Sequence, residues 1–266
     1  MSPNLSLRFV LILLPPSEGK TAPRRGKALD LEGLSAPSLT PARERVLDAL
    51  VTLCAGDPVA AAAVLEVPKT QLELVALNAA LRVAPTARAD AVYAGVLYEA
   101  LGLATLSAGA RRRATARVRV TSSLFGMVAP TDRIPAYRLS GDAALPGLGT
   151  VAGVWREALG PAVIELVGDG LLVDLRSGTY AAFWRPTSIP RVATVRVLHE
   201  VGGRRQVVSH FNKATKGRIV RALLENGANP RTPARLAEAL RDLGWAVEVA
   251  PPAKGVVQLD VVVSEL

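Results

Sequence analysis

Arg8-Phe-Val-Leu-Ile-Leu-Leu-Pro-Pro-Ser-Glu-Gly-Lys-Thr21 is the stretch that decides the fold of this chain. Its first half is a continuous apolar run that ends at two prolines, which is typical of a strand in the centre of a parallel sheet. The run lacks a small-residue cleavage site, so we interpret residues 8–14 as a first strand rather than a signal peptide. This strand predicts an α/β fold, with a mixed sheet surrounded by helices.

The remainder of the chain supplies further strands and the helices that cover them. Strands are predicted at residues 117–122, 171–177, 191–201, 204–209, 245–249 and 255–263. Residues 40–106 form a mainly helical subregion, in which Thr40 is the expected N-cap of the first helix and Asp57-Pro58 starts a second. Later helices are predicted at residues 151–166, 212–226 and 232–243. We expect one compact domain over residues 1–266.

The charge balance of the chain favours an anionic partner. The sequence has 32 Lys and Arg against 23 Asp and Glu, a formal net charge of +9. Such an excess is typical of proteins that bind nucleic acid, nucleotides or anionic lipid. The alternative origin is an Arg-rich composition that reflects a GC-rich genome.

Cysteine and histidine usage narrows the chemistry. The single cysteine, Cys54, excludes an internal disulfide and a cysteine zinc site, and its apolar surroundings predict a buried structural thiol. With His199 and His210 as the only histidines, a multi-histidine metal site is excluded, and we expect no cofactor. No apolar run reaches membrane-spanning length, so we expect a cytoplasmic protein with no membrane partner.

Ser17-Glu-Gly-Lys-Thr21 follows the first strand, where open α/β sheets place ligand sites. Gly-Lys-Thr is similar to the end of a phosphate-binding P-loop, but the first glycine of that motif would fall at Leu14, which excludes the motif. Lys20 stays a candidate for contact with an anion, and a solvated loop charge is the alternative.

Residues 122–138 form the run richest in specialised residue types. Gly126 permits a positive φ, while Asp132, Tyr137 and Arg138 offer polar chemistry. The simpler interpretation is a packed loop in which Asp132 caps a turn and pairs with Arg138.

Asp174 lies within an apolar strand, so its carboxylate must be paired or hydrogen-bonded, with Lys213 or Arg138 as the expected partner. A general base and a structural ion pair are both open. The candidates for catalysis are therefore Asp174, Asp132 and Lys20.

The helix that starts near Asn212 is cationic. Lys213, Lys216, Arg218 and Arg221 surround an apolar stripe, so one face of the helix is expected to pack and the other to meet negative charge.

Taken together, these segments resemble the YaaA peroxide stress protein family. The matching segments occur in family order over nearly the whole chain. They are Leu11-Ile-Leu-Leu-Pro-Pro-Ser-Glu-Gly-Lys-Thr21, Tyr93-Ala-Gly-Val-Leu-Tyr98, residues 122–138, Trp155, Asp174-Leu-Arg-Ser-Gly-Thr-Tyr180 and Ser209-His-Phe-Asn-Lys-Ala-Thr-Lys-Gly217.

The resemblance implies an α/β protein with a positively charged cleft that binds double-stranded or branched DNA and serves peroxide defence and recombinational repair. It also implies a helix-hairpin-helix element, for which residues 40–81 are the candidate, with Ala55-Gly-Asp-Pro58 as the hairpin. The residues that the resemblance assigns to DNA or anion binding are Lys20, Arg138, Lys213 and Lys216. The supporting residues around them are Tyr93, Ser122, Asp132, Ser177 and Tyr180.

Three functions follow as hypotheses. The first is a DNA-binding protein of the peroxide stress response that contacts the DNA backbone with little base readout. The second is an enzyme that acts on a nucleotide or another small anionic substrate in a pocket lined by Lys, Asp, Ser and Tyr. The third is an RNA-associated basic protein. A closed pocket would favour the enzyme, and an open groove would favour DNA.

Overall fold

The computed structural model of the chain describes residues 9–264, apart from the side chains of Val201, Ser209 and His210. Arg8, at which the predicted first strand begins, lies outside the described residues. The strands are β1 (Leu11–Leu14), β2 (Ala87–Arg88), β3 (Val118–Ser122), β4 (Gly126–Val128), β5 (Arg133–Ile134), β6 (Ala144–Leu145), β7 (Gly149–Thr150), β8 (Leu172–Asp174), β9 (Val192–Val201), β10 (Arg204–Gln206), β11 (Ala246–Val249) and β12 (Val256–Val263).

The helices are interspersed with these strands along the chain, and α1 to α5 lie within the helical subregion at residues 40–106. They are α1 (Thr40–Ala55), α2 (Pro58–Val64), α3 (Glu73–Ala79), α4 (Ala89–Val92), α5 (Val96–Leu101), α6 (Ala108–Arg117), α7 (Val151–Val167), α8 (Gly178–Ala181), α9 (Ser209–Asn226) and α10 (Pro233–Asp242). Short 3-10 helices occupy Pro37–Leu39, Lys69–Gln71 and Leu103–Thr105.

The central sheet has the order β11-β12-β9-β8-β1-β3-β4, with β10 paired to β9. The strands from β12 to β3 run parallel, whereas β11 and β4 pair antiparallel to their neighbours at the two edges. β1 lies between β8 and β3, and all four of its residues are buried. The central parallel position predicted for the first strand and the mixed α/β class are therefore confirmed.

The buried apolar side chains form one continuous core that joins the sheet to the helices. It includes Leu14 of β1, Leu47 of α1, Trp155 of α7 and Val220 of α9. Each such side chain contributes about 1.5–3 kcal/mol when it leaves water. This burial fixes β1 in the centre of the molecule, from which the loop at residues 15–20 emerges.

The N-terminal caps predicted for the first two helices have different outcomes. The Asp57 side chain caps α2 by accepting hydrogen bonds from the amides of Val59 and Ala60, as predicted. The prediction for Thr40 was wrong, because the 3-10 helix Pro37–Leu39 runs directly into α1 and Thr40 is already helical. Its hydroxyl is buried without a described partner, so it caps nothing.

The connection into α9 differs from the prediction in a similar way. β9 and β10 form the predicted hairpin through Gly202 and Gly203, whose φ values of 57° and 74° suit a type I′ turn. β10 ends at Gln206, however, and α9 starts at Ser209, three residues earlier than expected. The Val208 carbonyl accepts a hydrogen bond from the Asn212 amide, so the chain is turning where the sequence suggested a strand.

Two glycines are required by close packing near the sheet edge. Gly126 has a φ of +71°, and a Cβ there would lie 2.6 Å from the Trp155 ring. Gly217 lies where α9 crosses α5, and a Cβ there would lie 2.3 Å from the Leu97 carbonyl oxygen. The predicted positive φ at Gly126 is confirmed. Gly217 has no such backbone requirement, and its lack of a side chain allows α9 to pack closely on α5.

Candidate functional site

The candidate site lies at the edge of the sheet where β1, β3 and β8 end. These strands are parallel neighbours, so the loops at their carboxyl ends meet, as is usual for ligand sites of open α/β sheets. A cavity of about 320 Å³ opens there, lined by residues 15–19, residues 94–98, Ser177, Tyr180 and Lys213. The structure thus brings together segments that are separate in the sequence; we call this region the carboxyl edge.

Lys20 lies beside the cavity, next to the lining residue Gly19. Its Nζ donates a hydrogen bond to the Ser17 carbonyl at 3.0 Å and lies 4.1 Å from the centroid of the Tyr137 ring. Burial lowers the pKa of Lys20 to about 8; nearby Glu18 opposes this change, and nearby Arg138 adds to it. An amine in this state exchanges its proton close to physiological pH.

Buried hydroxyl groups surround Lys20. The Tyr137 hydroxyl lies 2.8 Å from Ser122 Oγ and 3.1 Å from the Tyr93 hydroxyl, and Ser122 Oγ also accepts a hydrogen bond from the Phe125 amide. Burial raises the pKa of both Tyr93 and Tyr137, so both phenols stay protonated and can donate. The result is a hydrogen-bonded chain of hydroxyls behind the cavity wall.

Tyr98 and Tyr180 form part of the cavity wall itself. The Tyr98 hydroxyl donates to the Pro15 carbonyl at 2.6 Å, and its ring stacks on Tyr93 with centroids 5.5 Å apart. The Tyr180 ring packs against Phe183 at 5.1 Å. Tyr98 was not assigned a role from the sequence, although it ends one of the segments, residues 93–98, on which the family resemblance rests.

Asp174 pairs with Arg176, and not with either of the predicted partners, Lys213 and Arg138. Arg176 donates to both carboxylate oxygens, from Nε at 2.9 Å and from Nη2 at 2.7 Å, and the pair is buried. Arg176 also donates to the carbonyls of Tyr180 and Trp184. The structural ion pair, rather than a free general base, is therefore the arrangement that the structure shows.

Asp132 lies in a separate turn and does not line the cavity. Its carboxylate accepts hydrogen bonds from the Ser35 amide at 3.1 Å, the Ser35 hydroxyl at 2.5 Å and the Ala129 amide at 2.9 Å. It caps a turn, as the simpler interpretation held, but it does not pair with Arg138. The structure does not bring this candidate for catalysis to the carboxyl edge.

Arg138 forms an ion pair with Glu18, one of the cavity-lining residues. The Arg138 backbone is held by Asn78, which donates to its carbonyl at 2.7 Å and accepts from its amide at 2.9 Å. The Glu18 side chain is 60% exposed, so the pair is open to exchange with another anion.

The cations of α9 divide into two exposed residues and two partly buried ones. Lys213 is exposed and lines the cavity, and no described carboxylate forms an ion pair with it. Lys216 donates to the Leu175 carbonyl at 3.2 Å, and burial lowers its pKa, against the influence of Asp174. Arg218 is exposed, whereas Arg221 donates to the carbonyls at the end of α5.

The hairpin between α1 and α2 offers no free anion site. The carboxylate of Asp57 occupies the two amides at the start of α2 that a phosphate would use. The groove beside the hairpin is lined by apolar residues such as Leu72 and Val75, and its described lining contains no Lys or Arg.

Two properties of the described chain limit the chemistry further. Among residues 9–264, no His, Cys, Asp and Glu side chains gather in a group of three or more that could hold a metal ion. None of the described helices has both the length and the apolar character that a membrane span requires.

Comparison with known proteins identifies the family. The sequence model described as peroxide stress protein YaaA matches residues 10–250. A UPF0246 protein of Streptomyces coelicolor is 52% identical over 261 residues, which cover 97% of this chain and 100% of the relative. A UPF0246 protein of Corynebacterium efficiens is 40% identical, covering 90% and 95%. The resemblance is thus confirmed over nearly the whole chain, which belongs to the YaaA family of peroxide stress proteins.

Proposed function

We propose that this protein binds DNA in the peroxide stress response, by contacting phosphate groups at the carboxyl edge. The observation that carries this proposal is the excess of cations around one cavity. The cations are Lys20, Arg138, Arg176, Lys213 and Lys216, whereas the carboxylates among them are Glu18, Asp174 and Asp142, the last bound to Thr179 next to the lining residue Tyr180. Since Asp174 is already neutralised by Arg176, the remaining positive charge favours an anion.

The way in which each cation would interact with a phosphate depends on its exposure to solvent. Lys213 and Arg138 reach solvent, so they would contact phosphates directly, with phosphate replacing Glu18 as the partner of Arg138. Lys20 and Lys216 are largely buried and would act at longer range, where low local dielectric strengthens their attraction. Such contacts carry no base sequence information, so we expect double-stranded and branched DNA to bind with little sequence preference. A DNA partner implies a cytoplasmic location, which stays a prediction.

A mobility-shift titration against salt tests the proposal. We expect Lys213→Ala and Arg138→Ala each to weaken binding of a duplex about equally across sequences and to reduce the salt slope by about one. The matched control is Arg235→Ala, which removes an exposed arginine paired with Glu238 on α10 and should leave the slope unchanged. Salt-insensitive binding, or none at about micromolar protein, would overturn the proposal. A duplex RNA of the same sequence, bound equally well, would instead favour an RNA partner.

A second function, an enzyme acting on a small anionic substrate, has a specific observation in its favour. Lys20 has a pKa of about 8 and lies beside the buried hydroxyls of Tyr137, Tyr93 and Ser122, an arrangement suited to proton transfer. Lys20→Arg distinguishes the two functions, because a guanidinium keeps the positive charge but does not release its proton. If only charge matters, Lys20→Arg should keep peroxide resistance and Lys20→Ala should lose it. If proton transfer matters, both should lose it.

Neither function uses the single cysteine as a peroxide sensor. Cys54 is buried, and burial raises the pKa of its thiol, which disfavours the reactive thiolate. We therefore expect Cys54→Ser cells to survive peroxide as well as cells with the unmodified protein. A loss of survival, with the variant still folded, would contradict this.

A further inference from the structure

We infer that the cavity at the carboxyl edge binds a single nucleotide unit, with the base inside the cavity and its phosphate at Lys213. This inference rests on the proposed DNA binding for the polymer that carries the nucleotide. A free mononucleotide offers the same chemistry, and the experiment below separates the two sources.

The size of the cavity sets the first limit on its occupant. Its volume of about 320 Å³ is at the lower end of the range of about 300–1,000 Å³ found for small-molecule sites. One base with its sugar suits such a volume, whereas a base pair within a duplex is held between its neighbours and does not enter a cavity. The nucleotide must therefore be unpaired or extruded from its helix.

The walls of the cavity set the second limit. They are largely apolar, with Pro15, Pro16, Tyr98 and Tyr180 among the lining residues. Because the Tyr98 hydroxyl is bound to the Pro15 carbonyl, Tyr98 contributes its ring rather than a free polar group. Surfaces of this kind pack on a flat aromatic body, and they tolerate any base because every base has an aromatic face.

The rim of the cavity sets the third limit. Lys213 is exposed, lines the cavity and has no described ion-pair partner, so it can receive one anionic group. Ser177 lies at the same cavity and offers a hydroxyl. An apolar interior with a cation at its rim fits a molecule that is aromatic at one end and negatively charged at the other. A nucleotide has this form.

Gly19 offers a position at which a large side chain can be added to the cavity lining. Gly19 lines the cavity, its φ is not in the left-handed region, and a Cβ built there meets no atom within 4 Å. We therefore expect the backbone at Gly19 to accept a side chain, and Gly19→Trp to reduce the volume of the cavity. Val83→Trp is the matched control, because Val83 is 78% exposed and does not line the cavity. Thermal unfolding of both variants checks that they fold.

The experiment measures binding of three labelled duplexes by fluorescence anisotropy: one fully paired, one with a single unpaired nucleotide, and one with an abasic site at that same position. We expect the unpaired nucleotide to bind about tenfold more tightly than the abasic site, from stacking of the base. In Gly19→Trp this preference should disappear, and in Val83→Trp it should persist. Titration calorimetry with a 5′-deoxynucleoside monophosphate measures the free nucleotide in the same three proteins.

The outcomes separate this inference from the proposed function. If the duplexes bind, but the unpaired base gives no advantage over the abasic site and the mononucleotide does not bind, the inference is overturned and DNA binding stands. If no duplex binds but the mononucleotide does, and Gly19→Trp abolishes that binding, the inference stands for a free nucleotide and the proposed function fails. If neither the mononucleotide nor the unpaired base binds, the inference is overturned.

Discussion

The α1–α2 hairpin and the carboxyl edge of the sheet differ in how their charged groups are paired. At the hairpin, the amides at the start of α2 are already bound by the carboxylate of Asp57, and the adjoining groove is apolar. At the carboxyl edge, positive groups outnumber negative ones, and Lys213 is left without a described ion-pair partner. An anion site therefore depends on which positive groups stay unpaired after folding.

Two arginine–carboxylate pairs at the carboxyl edge differ in how far they are exposed to solvent. Arg176 and Asp174 are buried, with side chains 1% and 8% exposed, whereas Arg138 and Glu18 are 28% and 60% exposed. Removing one partner of a buried pair leaves an uncompensated charge, but an exposed pair contributes little to stability. The first pair builds the site, and the second remains free to exchange partners.

Arg176→Met should have the largest effect on stability. It leaves the Asp174 carboxylate buried without its partner and removes the hydrogen bonds to the carbonyls of Tyr180 and Trp184. We expect the free energy of unfolding to fall by about 3–5 kcal/mol in urea denaturation at neutral pH. Arg235→Met, which breaks an ion pair whose side chains are 73% and 52% exposed, should cost about 0–1 kcal/mol. Similar losses in the two variants would remove the distinction between buried and exposed pairs.

Lys20→Met should change how stability depends on pH. Because burial lowers the pKa of Lys20 from 10.5 to about 8, the unfolded state binds more protons than the folded state between these values. The wild type should therefore gain stability relative to Lys20→Met as pH rises from about 8 to 10, by at most about 1.4 kcal/mol per pH unit. Urea denaturation of both proteins across this range measures the difference. A difference that stays constant with pH would show that Lys20 is solvated.

Asp57→Ala tests the hairpin directly. The loss of the cap should lower the free energy of unfolding by about 1 kcal/mol, while exposing the amides of Val59 and Ala60. We expect DNA affinity to stay the same. Thr232→Ala removes a comparable cap from α10 and serves as the control. A clear gain in affinity for Asp57→Ala alone would make the hairpin a phosphate site and reverse the comparison.

Glu18→Gln should have the smallest effect on stability, less than about 1 kcal/mol, since it breaks an exposed pair. It also frees Arg138 and removes a negative charge from the cavity lining, so the affinity for duplex DNA should rise and its salt dependence should steepen. A mobility-shift titration measures both. Unchanged affinity would place Arg138 outside the DNA contact.

Much of the fold could be predicted because its signals are local. The apolar run of β1, the Gly202-Gly203 turn and the Asp57 cap each act within a few residues, and each was confirmed. The prediction that Thr40 is an N-cap was wrong, because the 3-10 helix before it runs directly into α1 and makes Thr40 part of the helix. Local signals fail where an adjoining turn extends an element.

The site was harder to predict because its contacts span long distances in the sequence. Arg138 meets Glu18 across 120 residues. Lys20 follows β1 and meets Tyr137, whose hydroxyl is bound to Ser122 at the end of the neighbouring strand β3. The Asp174–Arg176 pair had a local signal, since residues two apart at a strand end project to the same side. That spacing was the information available for finding Arg176.

Gly217 gives the cavity a mechanical property. Because Gly217 lacks a side chain, the backbone of α9 packs directly on the Leu97 carbonyl, so the helix that carries Lys213 is set against the segment 94–98 that also lines the cavity. The distance between these two parts of the lining therefore depends on a residue that does not itself line the cavity. A single methyl group at Gly217 would wedge α5 and α9 apart and so alter the aperture, without replacing any residue that lines it.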